Sequence, residues 1–170
     1  MFEYYDALGL ERKLALDPDE LRRRFYQRSR ETHPDLFGAA AEDRMAQLND
    51  AFRTLRNPVT RAEYFLTELG IHLSKDVPPE LLEEVFELNM ALEEIRGGDE
   101  SARPQMESAR ERFAGMQAEI DSGLAVLFAR HDTEGGQATL DEIAANLNRR
   151  RYISNLLRDV DKEINVHISN

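Results

Sequence analysis

The chain has 170 residues, 41% of them hydrophobic and 32% charged, with zero cysteines and a formal net charge of −11. That length and balance suit one or two small helix-rich domains with a real core, while zero cysteines exclude disulfides, thiolate metal sites and a cysteine nucleophile. No apolar run of about 18 residues offers a membrane span, and no basic start followed by an apolar stretch offers a secretory signal, so the cytoplasm is the expected compartment.

Charge is unevenly spread. Residues 1–75 carry 12 Lys+Arg and 13 Asp+Glu, net −1, and residues 76–170 carry 10 and 20, net −10. An acidic half opposes nonspecific binding to nucleic acid, so arginines in the first half are better matched to an acidic protein surface.

In chain order, the pattern predicts helices throughout. Phe2 to Leu8 is a short helix ended by Gly9. Asp17 as cap, Pro18 at the first helical position and Glu20 at capping-box spacing sign the start of an arginine-rich helix. It runs through LRRRFYQRSRETHPDLF (21–37) and ends on His33-Pro34-Asp35, because Pro34 biases His33 away from α conformation. At about 100° per residue, Leu21, Phe25 and Thr32 share one side. Arg22, Tyr26 and Arg30 form a stripe on the other, with Arg23 and Gln27 beside it. A small-residue loop around Gly38 to Ala41 leads to a helix over 42–56 with apolar positions 45, 48, 52 and 55. Asn57-Pro58 starts another helix, in which Ala62, Phe65, Leu66 and Leu69 can pack before Gly70. Ile71 to Pro79 reads as a linker.

Three longer amphipathic segments follow: about 79–96, stopped by Gly97-Gly98; about 103–131; and one after Gly135-Gly136, with Thr139 and Glu142 at capping-box spacing. Short glycine-bearing connections make an antiparallel bundle the economical arrangement. In the first segment, Leu81, Val85, Leu88, Leu92 and Ile95 already form a complete core stripe. Leu82, Phe86 and Met90 lie well away from it, bordered by Glu83, Glu87 and Glu94. A contiguous apolar patch with a polar rim suggests a partner site; the competing explanation is a helix buried on two sides.

Arginines alone, or a lone His-Pro-Asp, would mean no more than a solvated face and an ordinary turn. With EYYDALGL before it and EDRMAQLNDAFRTLRNPVTRAEY after it, the arrangement resembles the J-domain of DnaJ-type co-chaperones. The matching positions are Tyr5, Leu8 and Gly9, then Met45, Leu48, Ala51, Phe52 and Leu55, then Arg61, Ala62 and Tyr64. With RAEYFLTELG (61–70) and the acidic helical half that follows, the whole chain resembles the HscB family, J-proteins of iron–sulfur cluster assembly.

The resemblance implies an all-α protein: an N-terminal J-domain over 1–75, a helical hairpin with short flanking helices, and a C-terminal antiparallel three-helix bundle over 76–170. It implies two partners, an HscA/DnaK-type ATPase chaperone and the iron–sulfur scaffold IscU. The chaperone would meet His33, Pro34 and Asp35 together with Arg22, Arg23, Tyr26 and Arg30. The scaffold would meet Leu82, Phe86, Glu87 and Tyr152, to which the apolar stripe adds Met90. Four positions depart from the family. Asn89 and Met90 stand where a basic then an acidic residue is usual, Leu36 stands where J-domains often have a basic one, and Arg28 lies near the buried line. The metal-binding cysteines of some relatives are missing, so neither metal nor cofactor is expected.

Other functions remain open on the residues alone: a J-protein for another client, or a helical adaptor without chaperone activation. An enzyme would need a nucleophile, an orienting partner and an oxyanion site. Neighbouring His33 and Asp35 in a turn supply none of these, His72 reads as a linker residue, His131 lies near a helix end and His167 lies in the tail. No phosphate loop or ligand spacing appears.

Overall fold

Prolines set where several of the helices begin. The computed structural model describes residues 1–168, with eight α-helices among them: α1 (Glu3–Leu8), α2 (Pro18–Glu31), α3 (Pro34–Phe37), α4 (Ala41–Arg56), α5 (Pro58–Glu68), α6 (Leu82–Arg96), α7 (Arg103–Glu134) and α8 (Gln137–Ile168). α2, α3 and α5 each start at a proline, whose fixed φ suits the first helical position and whose missing N–H costs nothing there. Short 3₁₀ turns lead into α4, α6 and α7, and no strand is present among the described residues.

The arginine-rich helix ends just before the tripeptide. α2 stops at Glu31, and the chain restarts as the short α3 at Pro34, which the sequence pattern does not announce. Asp17 caps α2 by accepting from the Asp19 N–H at 3.0 Å, and Glu20 turns to Arg24 at 3.8 Å. α8 begins at Gln137, so Thr139 and Glu142 fall within its first turns.

Two compact units form, one of Met1–His72 with Ala125–Ala144, the other of Leu73–Leu124 with α8 from Ala145 onward. The sequence divides the chain once, between 75 and 76; by packing, the first unit also takes in residues 125–144.

In the first unit, α2 and α4 pack through Leu21, Leu48, Ala51 and Leu55, all buried, with Phe25 stacked on Phe52 at 4.4 Å between ring centroids. α1 and α5 meet through Phe2, Tyr5, Tyr64 and Phe65, whose rings lie 5.2–6.5 Å apart in edge-on and stacked pairs. Gly9 ends α1 at φ +65°. A Cβ there would meet Arg28 Nη2 at 2.6 Å, so glycine serves both the left-handed cap and the approach of that guanidinium.

The loop from α1 to α2 is held by buried polar groups. Arg61 is buried and donates from Nε to the Leu14 carbonyl at 2.6 Å and from Nη1 to the Leu55 carbonyl at 2.8 Å. Asp132, near the end of α7, accepts from the Leu14 N–H at 2.9 Å and the Ala15 N–H at 2.8 Å. His131 beside it sets its ring edge-on to Phe65 at 5.6 Å.

The Tyr5 hydroxyl donates to the Lys13 carbonyl at 2.7 Å, and burial pushes this phenol well above its ordinary value of 10, against a smaller pull from Arg61. The folded state therefore holds the proton more tightly. The associated stability is whole below about pH 10, the unfolded value, and is lost as pH rises above it, by up to about 1.4 kcal/mol per pH unit. Tyr5→Phe is expected to flatten part of that alkaline loss, leaving a share from Tyr64, whose phenol burial also raises. It should cost about 1 kcal/mol at neutral pH by leaving the Lys13 carbonyl without its donor. Urea titrations from neutral to alkaline pH measure both effects.

The second unit is built from α6, the first two-thirds of α7 and the later part of α8. Arg110–Asp161 (2.8 Å), Gln117–Ser154 (3.4 Å) and Arg150–Asp121 (2.6 Å) join the last two helices. Each step forward along α7 is matched by an equal step back along α8, which makes the pair antiparallel. Arg149–Glu80 (3.9 Å) and Arg96–Glu163 (2.6 Å) advance together instead, so α6 runs parallel to α8. The result is an up-down-up bundle, with Leu88, Leu92, Ile95, Met106, Phe113, Ile120, Leu147, Ile153 and Val160 in its core.

Candidate functional site

The end of α2 turns a sharp corner at the tripeptide. Buried Thr32 closes α2, its hydroxyl donating to the Arg28 carbonyl at 2.7 Å. His33 then caps α3, with Nδ1 accepting from the Asp35 N–H at 3.2 Å. Asp17 caps α2 in the same way, and Asn57 caps α5 by accepting from the Val59 N–H at 2.9 Å. In all three the next residue is proline. A carboxylate or an amide caps a helix well, so the local geometry gives no reason for an imidazole at position 33. With Nδ1 as acceptor, the neutral ring carries its proton on Nε2, an assignment made from the hydrogen bond. The Asp35 carboxylate lies 3.3 Å from Nδ1, and both side chains are exposed. The side chains of Pro34 and His167 are not among those described.

The cationic face leads up to this corner. Arg22, Arg23, Tyr26, Gln27 and Arg30 are exposed, whereas Leu21 is buried and Phe25 half-buried, as the 3.6-residue period requires. Arg22 pairs with Asp19 at 3.4 Å and Arg28 with Glu31 at 3.4 Å. Arg23 and Arg30 have no ion-pair partner among the described residues. A shallow groove lined by Arg23, Tyr26, Gln27, Ser29 and Arg30 runs along this face. Arg28 lies half-buried, with its guanidinium over Gly9.

A second exposed surface lies on α6. Leu81, Leu88, Ala91, Leu92 and Ile95 are buried, while Leu82 is 55%, Phe86 65% and Met90 48% exposed. One helical turn apart, the three exposed residues make a stripe about 12 Å long. Within its own unit, α6 therefore leaves these three residues uncovered. Glu83 and Glu87 are exposed beside the stripe, and Glu87 also borders a small cleft with Arg112 of α7. Tyr152 on α8 is half-buried, and its hydroxyl is committed to the Lys75 carbonyl at 2.6 Å.

The two surfaces differ in chemistry. The first is a rigid corner offering an imidazole and a carboxylate to solvent, and the second is an apolar ridge with acidic neighbours. Among the described residues, no group of three His, Asp or Glu could hold a metal ion, and no helix is long and apolar enough to cross a membrane.

Two family models match the chain: one described as the DnaJ domain over residues 3–64, the other as the HSCB C-terminal oligomerisation domain over residues 77–161. The chain belongs to the HscB family of J-domain co-chaperones. It is similar to the HscB co-chaperone homologue of Aliivibrio salmonicida (strain LFI1238), 31% identical over 171 aligned residues that cover 94% of this chain and 95% of that one. The homologue of Vibrio vulnificus (strain YJ016) is 29% identical over 169 aligned residues, covering 93% and 94%. Among solved structures, the HscB chaperone from Vibrio cholerae has a TM-score of 0.63 at 28% identity, covering 94% of this chain and 95% of that one. Human co-chaperone HscB has a TM-score of 0.68 and covers 94% and 81%; at 23% identity it is a likeness of fold.

Within this HscB fold, Arg61, which the sequence motif names without a task, satisfies two buried carbonyls. Asp132 was not visible at all, because the amides it binds lie more than a hundred residues earlier. Tyr152, expected from the resemblance to face a scaffold, has its hydroxyl tied to the linker.

Proposed function

We propose that this co-chaperone stimulates ATP hydrolysis by an HscA/DnaK-type chaperone and delivers to it an IscU-type iron–sulfur scaffold, in the cytoplasm where ATP is at hand. Residues 1–75 would act as the J-domain and residues 76–170 as the scaffold-binding unit. The observation that carries this reading is His33: an imidazole placed where a carboxylate or amide would cap equally well, exposed beside Asp35 at the end of a cationic face. Such a corner serves recognition, not the stability of the chain. Leu82, Phe86 and Met90, with Glu87 beside them, would seat the scaffold, and Tyr152 would contribute from α8 through its ring.

Purified protein added to the chaperone should accelerate single-turnover ATP hydrolysis and catalyse nothing by itself. Absence of acceleration would leave a helical adaptor as the better description.

Arg23 and Arg30 should act through long-range attraction to an acidic chaperone surface. Reversing both to Glu is expected to slow association by about tenfold or more, and wild-type binding should weaken as salt is added. Stopped-flow association at two salt concentrations tests this. Identical rates for wild type and the reversed variant would mean that the two arginines are only solvated.

A further inference from the structure

We infer that Leu36 is a specificity contact, an apolar anchor for a hydrophobic facet on the chaperone next to the acidic surface that meets the arginines. The inference rests on the function proposed above and adds a second chemistry to that site.

Every residue from His33 to Ala40 whose side chain is described is exposed, so no core requirement selects what stands at position 36. The side chain there is nonetheless large and apolar. It is 70% exposed, and among the described large apolar residues only Met1 is more so. Phe37, next in the chain, is 36% exposed, which makes a two-residue apolar edge.

The edge is also held in place. The Leu36 N–H donates to the His33 carbonyl at 2.9 Å and the Phe37 N–H to the same oxygen at 3.3 Å. Arg44 lies over the Phe37 ring at 4.1 Å, and His33 caps the turn from its Nδ1. Leu69, Val126 and Val166 are exposed too, but none is hydrogen-bonded to the tripeptide. The Leu36 N–H is bonded directly to the carbonyl of the residue that the chaperone is proposed to read. The partner that meets His33 therefore meets Leu36, and a pre-ordered anchor loses little freedom on docking.

This turn lacks the free cations of α2. Asp35 is its one charged residue and Arg44 is occupied by Phe37. An uncharged leucine between them fits a hydrophobic facet and not an acidic one. Its contribution should be independent of salt, unlike that of Arg23 and Arg30.

The test is a titration of chaperone ATPase stimulation at low and high salt with wild type, Leu36→Ala, Leu36→Lys and His33→Gln. Leu36→Ala is expected to raise the half-maximal concentration about tenfold. The factor should be equal at both salts, with the maximal rate kept. Leu36→Lys should be at least as weak as Leu36→Ala, and His33→Gln silent throughout. Values for Leu36→Ala and Leu36→Lys within about twofold of wild type would overturn the inference, as would tighter binding by Leu36→Lys, which would mean an acidic facet. A marked drop in melting temperature for Leu36→Ala would also overturn it, by making Leu36 a structural residue. If wild type itself fails to stimulate, the parent reading fails, a result distinct from indifference at position 36.

Discussion

His33→Gln is expected to abolish chaperone stimulation while leaving the helical content and melting curve nearly unchanged. The structural share of His33 is one capping hydrogen bond on a four-residue turn whose described side chains are all exposed. Loss of a cap costs about 1 kcal/mol, which in a chain of this size moves the melting midpoint by about 2–4 °C. The folded population is then unaffected at working temperature, and a missing stimulation cannot be assigned to unfolding. The functional share depends on what replaces the ring. A glutamine amide keeps an acceptor and a donor but cannot present them in the imidazole's plane. The measurement is single-turnover ATP hydrolysis with excess co-chaperone. Full stimulation by the variant would remove the tripeptide from the mechanism and leave the arginine face to account for the activity.

Local rules explain most of what is legible in this chain. Asp17-Pro18 and Asn57-Pro58 mark helix starts because a side-chain acceptor followed by a fixed φ acts within two residues. Three core stripes follow from period alone, and so does the exposure of Leu82, Phe86 and Met90, since a complete stripe on α6 leaves nothing inside the bundle for them to cover. The tripeptide misleads in one respect. Pro34 signs the end of a helix, yet the same ring also starts one, and with His33 as cap the chain restarts at once as α3. What lies beyond local pattern is the clamp on the loop from α1 to α2. Asp132 sits in an ordinary polar stretch of α7, and only folding brings its two oxygens to the Leu14 and Ala15 amides. For the same reason residues 125–144 could not be assigned to the first unit. A carboxylate bonding two backbone amides has no signature in its own neighbourhood.

Phe86→Ala is expected to weaken scaffold binding at least about tenfold without loosening the fold. The expectation rests on exposure: Phe86 is 65% exposed, so truncation opens no cavity and removes little native packing, and stability should change by no more than about 0.5 kcal/mol. In a complex the same ring becomes the centre of a stripe flanked by Leu82 one turn before and Met90 one turn after. Central aromatic anchors commonly cost about 2 kcal/mol or more when cut back, and about 1.4 kcal/mol is a decade of affinity. Met90 lengthens the apolar contact, so affinity should depend weakly on salt, in contrast to association through α2. The exposed Glu83 and Glu87 would favour a scaffold surface with basic residues around an apolar centre. Calorimetric titration of the scaffold and a melt of the same variant separate the possible outcomes. Weakened binding with an unchanged melt assigns Phe86 to the interface. An unchanged affinity would move the scaffold site off α6, and a lowered melting temperature would mean that the ring supports the fold after all. Stimulation of the chaperone in the absence of scaffold should be the same for Phe86→Ala and wild type, because the tripeptide and the arginine face lie in the other compact unit.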